Sequence, residues 1–218
     1  MREQVINAIE QNKIIAIVRG ADPEQAVKAA KAVRLGGVKL IEVTFNQKAP
    51  QTFCETVKAI SKIKQNCPDM IVGAGTVLDV EQVDLAISAG AEYIVSPDTN
   101  EQVIKYTVSK GLVSLPGAYT ASEAKKAFNS GADFVKLFPC TDPAYLKALK
   151  APLSHVRFLA VGGVNVDNAA DFIKAGAVGV GIGSSLINKK YLYSGEYDKI
   201  TSLAKILVEK VKNYKETL

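Results

Sequence analysis

The sequence predicts a single (β/α)8 TIM barrel with an extra N-terminal helix. Three observations point there: apolar runs of strand length recur along the chain, segments of helical periodicity lie between them, and no linker or composition break interrupts the series. The chain has 218 residues, 48% hydrophobic and 22% charged, which excludes disorder and suits one domain over residues 1–218. A doubly wound open sheet is the structural rival, because it uses the same strand and helix units.

Residues 1–12 form the extra helix, with Val5, Ile6 and Ile9 covering the barrel bottom. Eight strand runs follow: IIAIV (14–18), VKLIEV (38–43), MIVGAG (70–75), AEYIVS (91–96), GLVSLP (111–116), ADFVKLF (132–138), VRFLAV (156–161) and VGVGIG (178–183). Their Val and Ile content, apolar on both faces, is that of a parallel sheet covered by helices. Residues 23–37, 80–90, 101–111, 121–131 and 168–176 repeat apolar positions at i, i+3, i+4 and i+7, as helices do. Asp22-Pro23 marks the start of the first of these, and Thr120 with Glu123 spells a capping box before residue 121. The closing glycines Gly36, Gly90, Gly111, Gly131 and Gly176 are expected in the left-handed conformation that ends a helix.

Composition narrows the chemistry. The one histidine, His155, rules out a metal site built from several imidazoles, and it falls before the seventh run, on the bottom side. Proton transfer must therefore use Glu, Asp, Lys or Tyr. Cys54, Cys67 and Cys140 fit neither a C-x-x-C redox motif nor a zinc ribbon and read as reduced thiols. The stretch MREQVINAIEQNK lacks the apolar region of a signal peptide, and no run of about 18 apolar residues occurs, so a cytoplasmic protein without a membrane partner is expected. The net charge of +5 reflects lysines from Lys189 to Lys215, many interleaved with Ile200, Leu203, Leu207 and Val211 at helical spacing. That is a solvated amphipathic face, not a nucleic-acid surface.

In a barrel the chemistry sits at the C-terminal ends of the strands. Glu42 lies in the second run and Lys136 in the sixth. Strand alternation puts Leu40, Glu42 and Thr44 on one face, and Phe134, Lys136 and Phe138 on one face of the other. Two buried opposite charges have two readings: an ion pair that neutralises itself, or an amine of lowered proton affinity that attacks carbonyls beside a carboxylate that moves protons. Location at strand C-termini favours the second. Val161-Gly162-Gly163-Val164 and Gly181-Ile182-Gly183-Ser184-Ser185 close the seventh and eighth runs, where such barrels bind phosphate through backbone N–H groups and hydroxyls. Arg19 and Thr76, at the ends of the first and third runs, offer a donor fork and a hydroxyl, or are surface residues. The Gly73-Ala74-Gly75 run says only that backbone comes close to something.

With these residues in place the chain resembles the bacterial 2-keto-3-deoxy-6-phosphogluconate and 4-hydroxy-2-oxoglutarate aldolases, a class I aldolase family. IIAIVRG, IEVTF, IVGAGTV, IVSP, LPGAYTASE, FVKLFP, VGGV and GIGSS carry the likeness in the family's order. The resemblance implies that Lys136 forms the Schiff base, Glu42 is the general acid/base, and Arg19 and Thr76 hold the pyruvate carboxylate. It further implies that Pro97 and Phe138 line the pocket and that Gly162, Gly163 and Ser184, with Gly183 beside them, hold the distal phosphate. It implies no metal, no cofactor, a homotrimer, and an Entner-Doudoroff role.

Two positions depart from the phosphogluconate pattern: Asn46 stands where an arginine is usual, and Val161 where a threonine is usual. Both look like the related 2-dehydro-3-deoxy-6-phosphogalactonate aldolases, so the C4 epimer is a rival substrate. Outside the aldolases, a phosphosugar isomerase or epimerase and a noncatalytic phosphosugar-binding barrel are the rivals.

Overall fold

The structure, a computed structural model, describes residues 1–212, so Lys215 lies outside the described residues. Nine strands form one all-parallel sheet: β1 (Ile14–Val18), β2 (Leu40–Thr44), β3 (Ile71–Gly75), β4 (Tyr93–Val95), β5 (Val113–Leu115), β6 (Gly117–Ala118), β7 (Val135–Leu137), β8 (Phe158–Val161) and β9 (Gly179–Ile182). Their spatial order is β5-β4-β3-β2-β1-β9-β8-β7-β6.

The ninth strand comes from a break, not an extra unit. β5 and β6 are two halves of the fifth predicted run and its extension, separated by Pro116, which has no N–H to give to a ladder. Its carbonyl still serves: Lys136 N–H donates to it at 2.9 Å, while Phe134 N–H donates to Ser114 O and Phe138 N–H to Ala118 O. β5 bonds to β4 on its other side, so the ladder runs around the barrel in eight strand positions. The open-sheet alternative is thereby set aside.

Among the described residues ten α-helices surround the sheet: α1 (Arg2–Asn12), α2 (Pro23–Leu35), α3 (Phe53–Asn66), α4 (Val80–Ser88), α5 (Glu101–Ser109), α6 (Ala121–Asn129), α7 (Pro143–Lys150), α8 (Ala169–Lys174), α9 (Lys189–Ser194) and α10 (Tyr197–Lys212). Both predicted starts are present: Asp22 with Gln25 and Thr120 with Glu123 each form a reciprocal capping box. Gly90, Gly111, Gly131 and Gly176 take the expected positive φ. Gly36 does not. Its φ is −78°, and the left-handed residue is Gly37 at +94°. Gly36 is instead a packing glycine, since a Cβ there would overlap the Cβ of Ala204 where α2 meets α10.

Alternation along the strands creates two cores. Outward residues such as Ile14, Ala16, Val18, Ile41 and Val43 pack under the helices. Inward residues Ile15, Leu40, Tyr93, Val95, Val113, Leu115, Phe134 and Leu159 fill the barrel and meet Val5, Ile6 and Ile9 of α1. α1 is pinned by charge as well: Arg2 pairs with buried Asp133 at 2.9 Å, and Arg157 reaches Glu10 at 3.2 Å. Ile200, Ala204, Leu207 and Val211 of α10 are buried, Leu203 is half-buried, and Lys199, Lys205, Lys210 and Lys212 face solvent. His155 is exposed, its ring 4.8 Å from that of Phe128. Among the described residues no helix is long and apolar enough to cross a membrane.

Candidate active site

The inward register of β2 and β7 takes Glu42 and Lys136 into the barrel, above Leu40 of β2 and Phe134 just before β7. Both are almost fully enclosed, at 2% and 5% exposure. They are not in direct contact: no ion pair of 4.0 Å or less joins them, and Glu42 Oε1 is buried without a hydrogen-bond partner among the described residues. A buried carboxylate oxygen without a donor from the protein carries a high desolvation cost. Burial pushes the Glu42 carboxyl above its ordinary value, and the charges of Lys136 and Arg19 oppose that rise.

Lys136 shifts the other way. Burial lowers the affinity of its amine for a proton, Glu42 opposes this, and Arg19 adds to it. Nζ sits 4.7 Å from the centre of the Phe138 ring, whose face favours the ammonium form. The chemical result is an amine with an increased free-base fraction beside a carboxyl able to hold or release a proton.

The Gly-Ala-Gly stretch now has its explanation. Gly73 and Gly75 are successive inward positions of β3, paired in register with Glu42 and Thr44 of β2. A Cβ on Gly75 would overlap Oε1 of Glu42, and one on Gly73 would overlap the Tyr93 ring. The two glycines therefore make room for the carboxylate and for the aromatic ring.

A cavity of about 420 Å³ opens above Lys136. Of the residues singled out from the sequence, Arg19, Lys136, Phe138, Val161, Gly162, Gly163, Gly183 and Ser184 line it. Gly162 and Gly163 both have positive φ, +91° and +82°, and a Cβ on Gly162 would crowd the Phe138 ring at 3.2 Å. With no side chains at these two positions, the backbone itself forms this part of the cavity wall. Ser184 is exposed at this wall, whereas the Ser185 hydroxyl donates to Val164 O at 2.8 Å.

Glu42, Thr76 and Pro97 fall outside the lining. Glu42 is the deeper partner in the barrel. Thr76 follows β3 with φ +58°, an unfavourable conformation for a β-branched residue, and its carbonyl accepts a bond from Gln47 Nε2 at 2.6 Å. Pro97 is half-buried, its carbonyl closed against Gly117. Asn46 turns its own loop, its Oδ1 accepting from Lys48 N–H. Buried Cys140 is held as a thiol by burial and Asp142, its pKa pushed up to about 11.

Sequence reasoning missed three lining residues of consequence. Ile17 and Ile187 supply apolar wall, and Lys189 adds a second cation at the mouth, its Nζ alongside Gly20. Lys189 was absorbed into the lysine-rich C-terminal face. Its position five residues after Ser184 was the available signal.

A family model described as "Aldolase: KDPG and KHG aldolase" matches residues 5–203. A 2-dehydro-3-deoxy-phosphogluconate aldolase of Treponema pallidum (strain Nichols) is 33% identical over 92% of this chain and 94% of its own. A 2-dehydro-3-deoxy-6-phosphogalactonate aldolase of Escherichia coli (strain K12) is 40% identical over 79% of this chain and 83% of its own. A solved native KDPGal structure superposes with a TM-score of 0.82, at 35% identity over 92% of this chain and 94% of that one.

Proposed function

The chain belongs to the KDPG and KHG aldolase family, and from that premise we propose that it cleaves 2-dehydro-3-deoxy-6-phosphogluconate to pyruvate and glyceraldehyde 3-phosphate through a Schiff base on Lys136. It is a carbon-carbon lyase, and the relatives bearing aldolase names cover most of its length. The observation that carries the mechanism is the buried amine of Lys136 at the cavity, with Glu42 deeper in the barrel and its Oε1 without a hydrogen-bond partner among the described residues.

Neutral Lys136 attacks the C2 ketone. Glu42 supplies the proton that lets the carbinolamine hydroxyl leave as water, giving an iminium on Lys136. The iminium withdraws the electrons of the C3–C4 bond as Glu42 takes the proton of the C4 hydroxyl, releasing glyceraldehyde 3-phosphate and leaving an enamine. Return of that proton to C3, then addition of water, frees pyruvate and restores the amine. Arg19 and Thr76 hold the carboxylate end of the substrate. Pro97 and Phe138 bound the pocket, while Gly162, Gly163, Gly183 and Ser184 take the phosphate. The same chemistry accommodates 4-hydroxy-2-oxoglutarate, which would yield pyruvate and glyoxylate. The barrel works as one domain, as a homotrimer in the cytoplasm.

A second substrate reading has its own support. Val161 lines the cavity, and the 40% identical relative is named for the galactonate epimer. Pyruvate release followed with lactate dehydrogenase, using both epimers and 4-hydroxy-2-oxoglutarate side by side, separates the readings. The proposal expects the gluconate epimer to give the highest kcat/KM. Preference for its C4 epimer assigns the second reading, and absence of pyruvate from all three substrates removes both.

A further inference from the structure

Tyr93 leaves β4 toward the barrel interior, where it is fully buried among Leu40, Val95 and Val113. The strand register aligns Glu42 with Gly73 and Gly73 with Tyr93, so one line of register across β2, β3 and β4 carries all three. Gly73 is the cradle for the ring: its missing Cβ is the space the ring occupies. Gly75 does the same for the Glu42 carboxylate. Neighbouring glycines thus admit a phenol and a carboxylate to the same enclosed region.

Both polar tips are left over. Tyr93 Oη and Glu42 Oε1 are each buried with no hydrogen-bond partner among the described residues. One is a donor and the other an acceptor. A phenylalanine would fill the ring's space without the cost of desolvating a hydroxyl, so the hydroxyl calls for a partner of matching polarity. A single water is the usual bridge between two enclosed polar atoms that do not touch.

We propose that Tyr93 is a positioning residue for Glu42, donating through one water to Oε1 and holding the carboxylate aimed at the substrate's C4 hydroxyl. This rests on Glu42 being the proton carrier. Tyr93 remains a donor at working pH, because burial first, and then Glu42 and Glu92, keep its phenol protonated well above the ordinary range. Lys136 from β7 and Arg19 from the end of β1 are the other charges acting on Glu42. Glu92 is held by Lys64 at 2.6 Å.

The test compares kcat–pH profiles of the wild type, Tyr93→Phe, Glu42→Gln and the double variant. Tyr93→Phe keeps the ring in its cradle and is expected to fold normally. Its kcat should fall about 3- to 10-fold, the range of one lost hydrogen bond. Its acidic limb should move up by about half to one pH unit, since the carboxylate loses a donor that favours its charged form. KM should stay within about twofold, as for an interaction made only in the reacting state. In the Glu42→Gln background the second change should add nothing. An impaired Glu42→Gln with an unmoved limb in Tyr93→Phe overturns the Tyr93 role alone. A Glu42→Gln variant with the wild-type profile overturns the reading of Glu42, and Tyr93 falls with it.

Discussion

The barrel buries a carboxylate near each of its ends, and the two are treated differently. At the N-terminal end Asp133, 7% exposed, meets Arg2 at 2.9 Å and accepts the Ser114 N–H at 2.9 Å. Toward the C-terminal end Glu42 is as deeply enclosed, yet among the described residues none donates to its Oε1 and Lys136 is beyond contact. Neighbouring bonds tighten the lower end further, as Arg157 Nε donates to Asp133 O at 2.9 Å and the guanidinium lies 4.7 Å from the Phe134 ring. A satisfied buried charge fixes one element against another, here α1 against the barrel floor. One that no protein group pairs keeps a raised proton affinity that a substrate can use.

The largest expected effect breaks the upper end at its nucleophile. Lys136→Met should lower aldol cleavage by about 10⁴-fold or more, the scale seen when a nucleophile is removed. Its melting temperature at neutral pH should hold or rise. A lysine of lowered proton affinity in the folded state costs stability below that lowered value, and the cost disappears as pH climbs toward 10.5. Steady-state kinetics and a thermal melt read the two halves. Next, Glu42→Gln should cost about 10²- to 10³-fold in kcat, within the range of general acid–base catalysis. It should also move the pH midpoint for imine formation downward, because the carboxylate that favours the Lys136 ammonium is gone. An upward shift would contradict the stated coupling.

The lower end should respond the opposite way. Asp133→Asn is expected to cost about 2 kcal/mol of stability, less than for a fully buried pair because Arg2 is 35% exposed. That corresponds to a drop of about 4–8 °C for a chain of this size. The kcat of the folded fraction should stay within about twofold of the wild type. A large loss of kcat there would erase the distinction between the two ends.

Smaller effects sharpen the mouth of the cavity. Lys189→Ala should raise KM for the phosphorylated substrate about 3- to 10-fold, the scale of an exposed charge contact, and leave that for 4-hydroxy-2-oxoglutarate unchanged. Val161→Thr should alter the ratio of kcat/KM between the C4 epimers by about tenfold or less, since one hydroxyl at a pocket wall discriminates modestly. An unaltered ratio would detach Val161 from the C4 region.

The parts read well from sequence were those with local signals. Strand runs and capping boxes repeat within a few residues, and a charge inside an apolar run such as Glu42 or Lys136 stands out against its neighbours. Strand ends moved by one to three residues because ladder partners set them, as with VKLIEV at 38–43 and its strand at Leu40–Thr44. What was hidden depended on distant residues. Arg2 and Asp133 are far apart in the chain, Gly36 answers to Ala204, and Gly73 answers to Tyr93. No window of sequence contains both members of these pairs. Lys189 was hidden by composition, one lysine in a lysine-rich segment.

The Schiff-base mechanism turns on which amine bonds to pyruvate. Borohydride reduction of the wild-type protein in the presence of pyruvate, followed by peptide mass spectrometry, should leave a stable carboxyethyl group on the peptide containing Lys136, and Lys136→Met should show none. No adduct on the wild type, or one carried by another lysine, would contradict the Schiff-base mechanism.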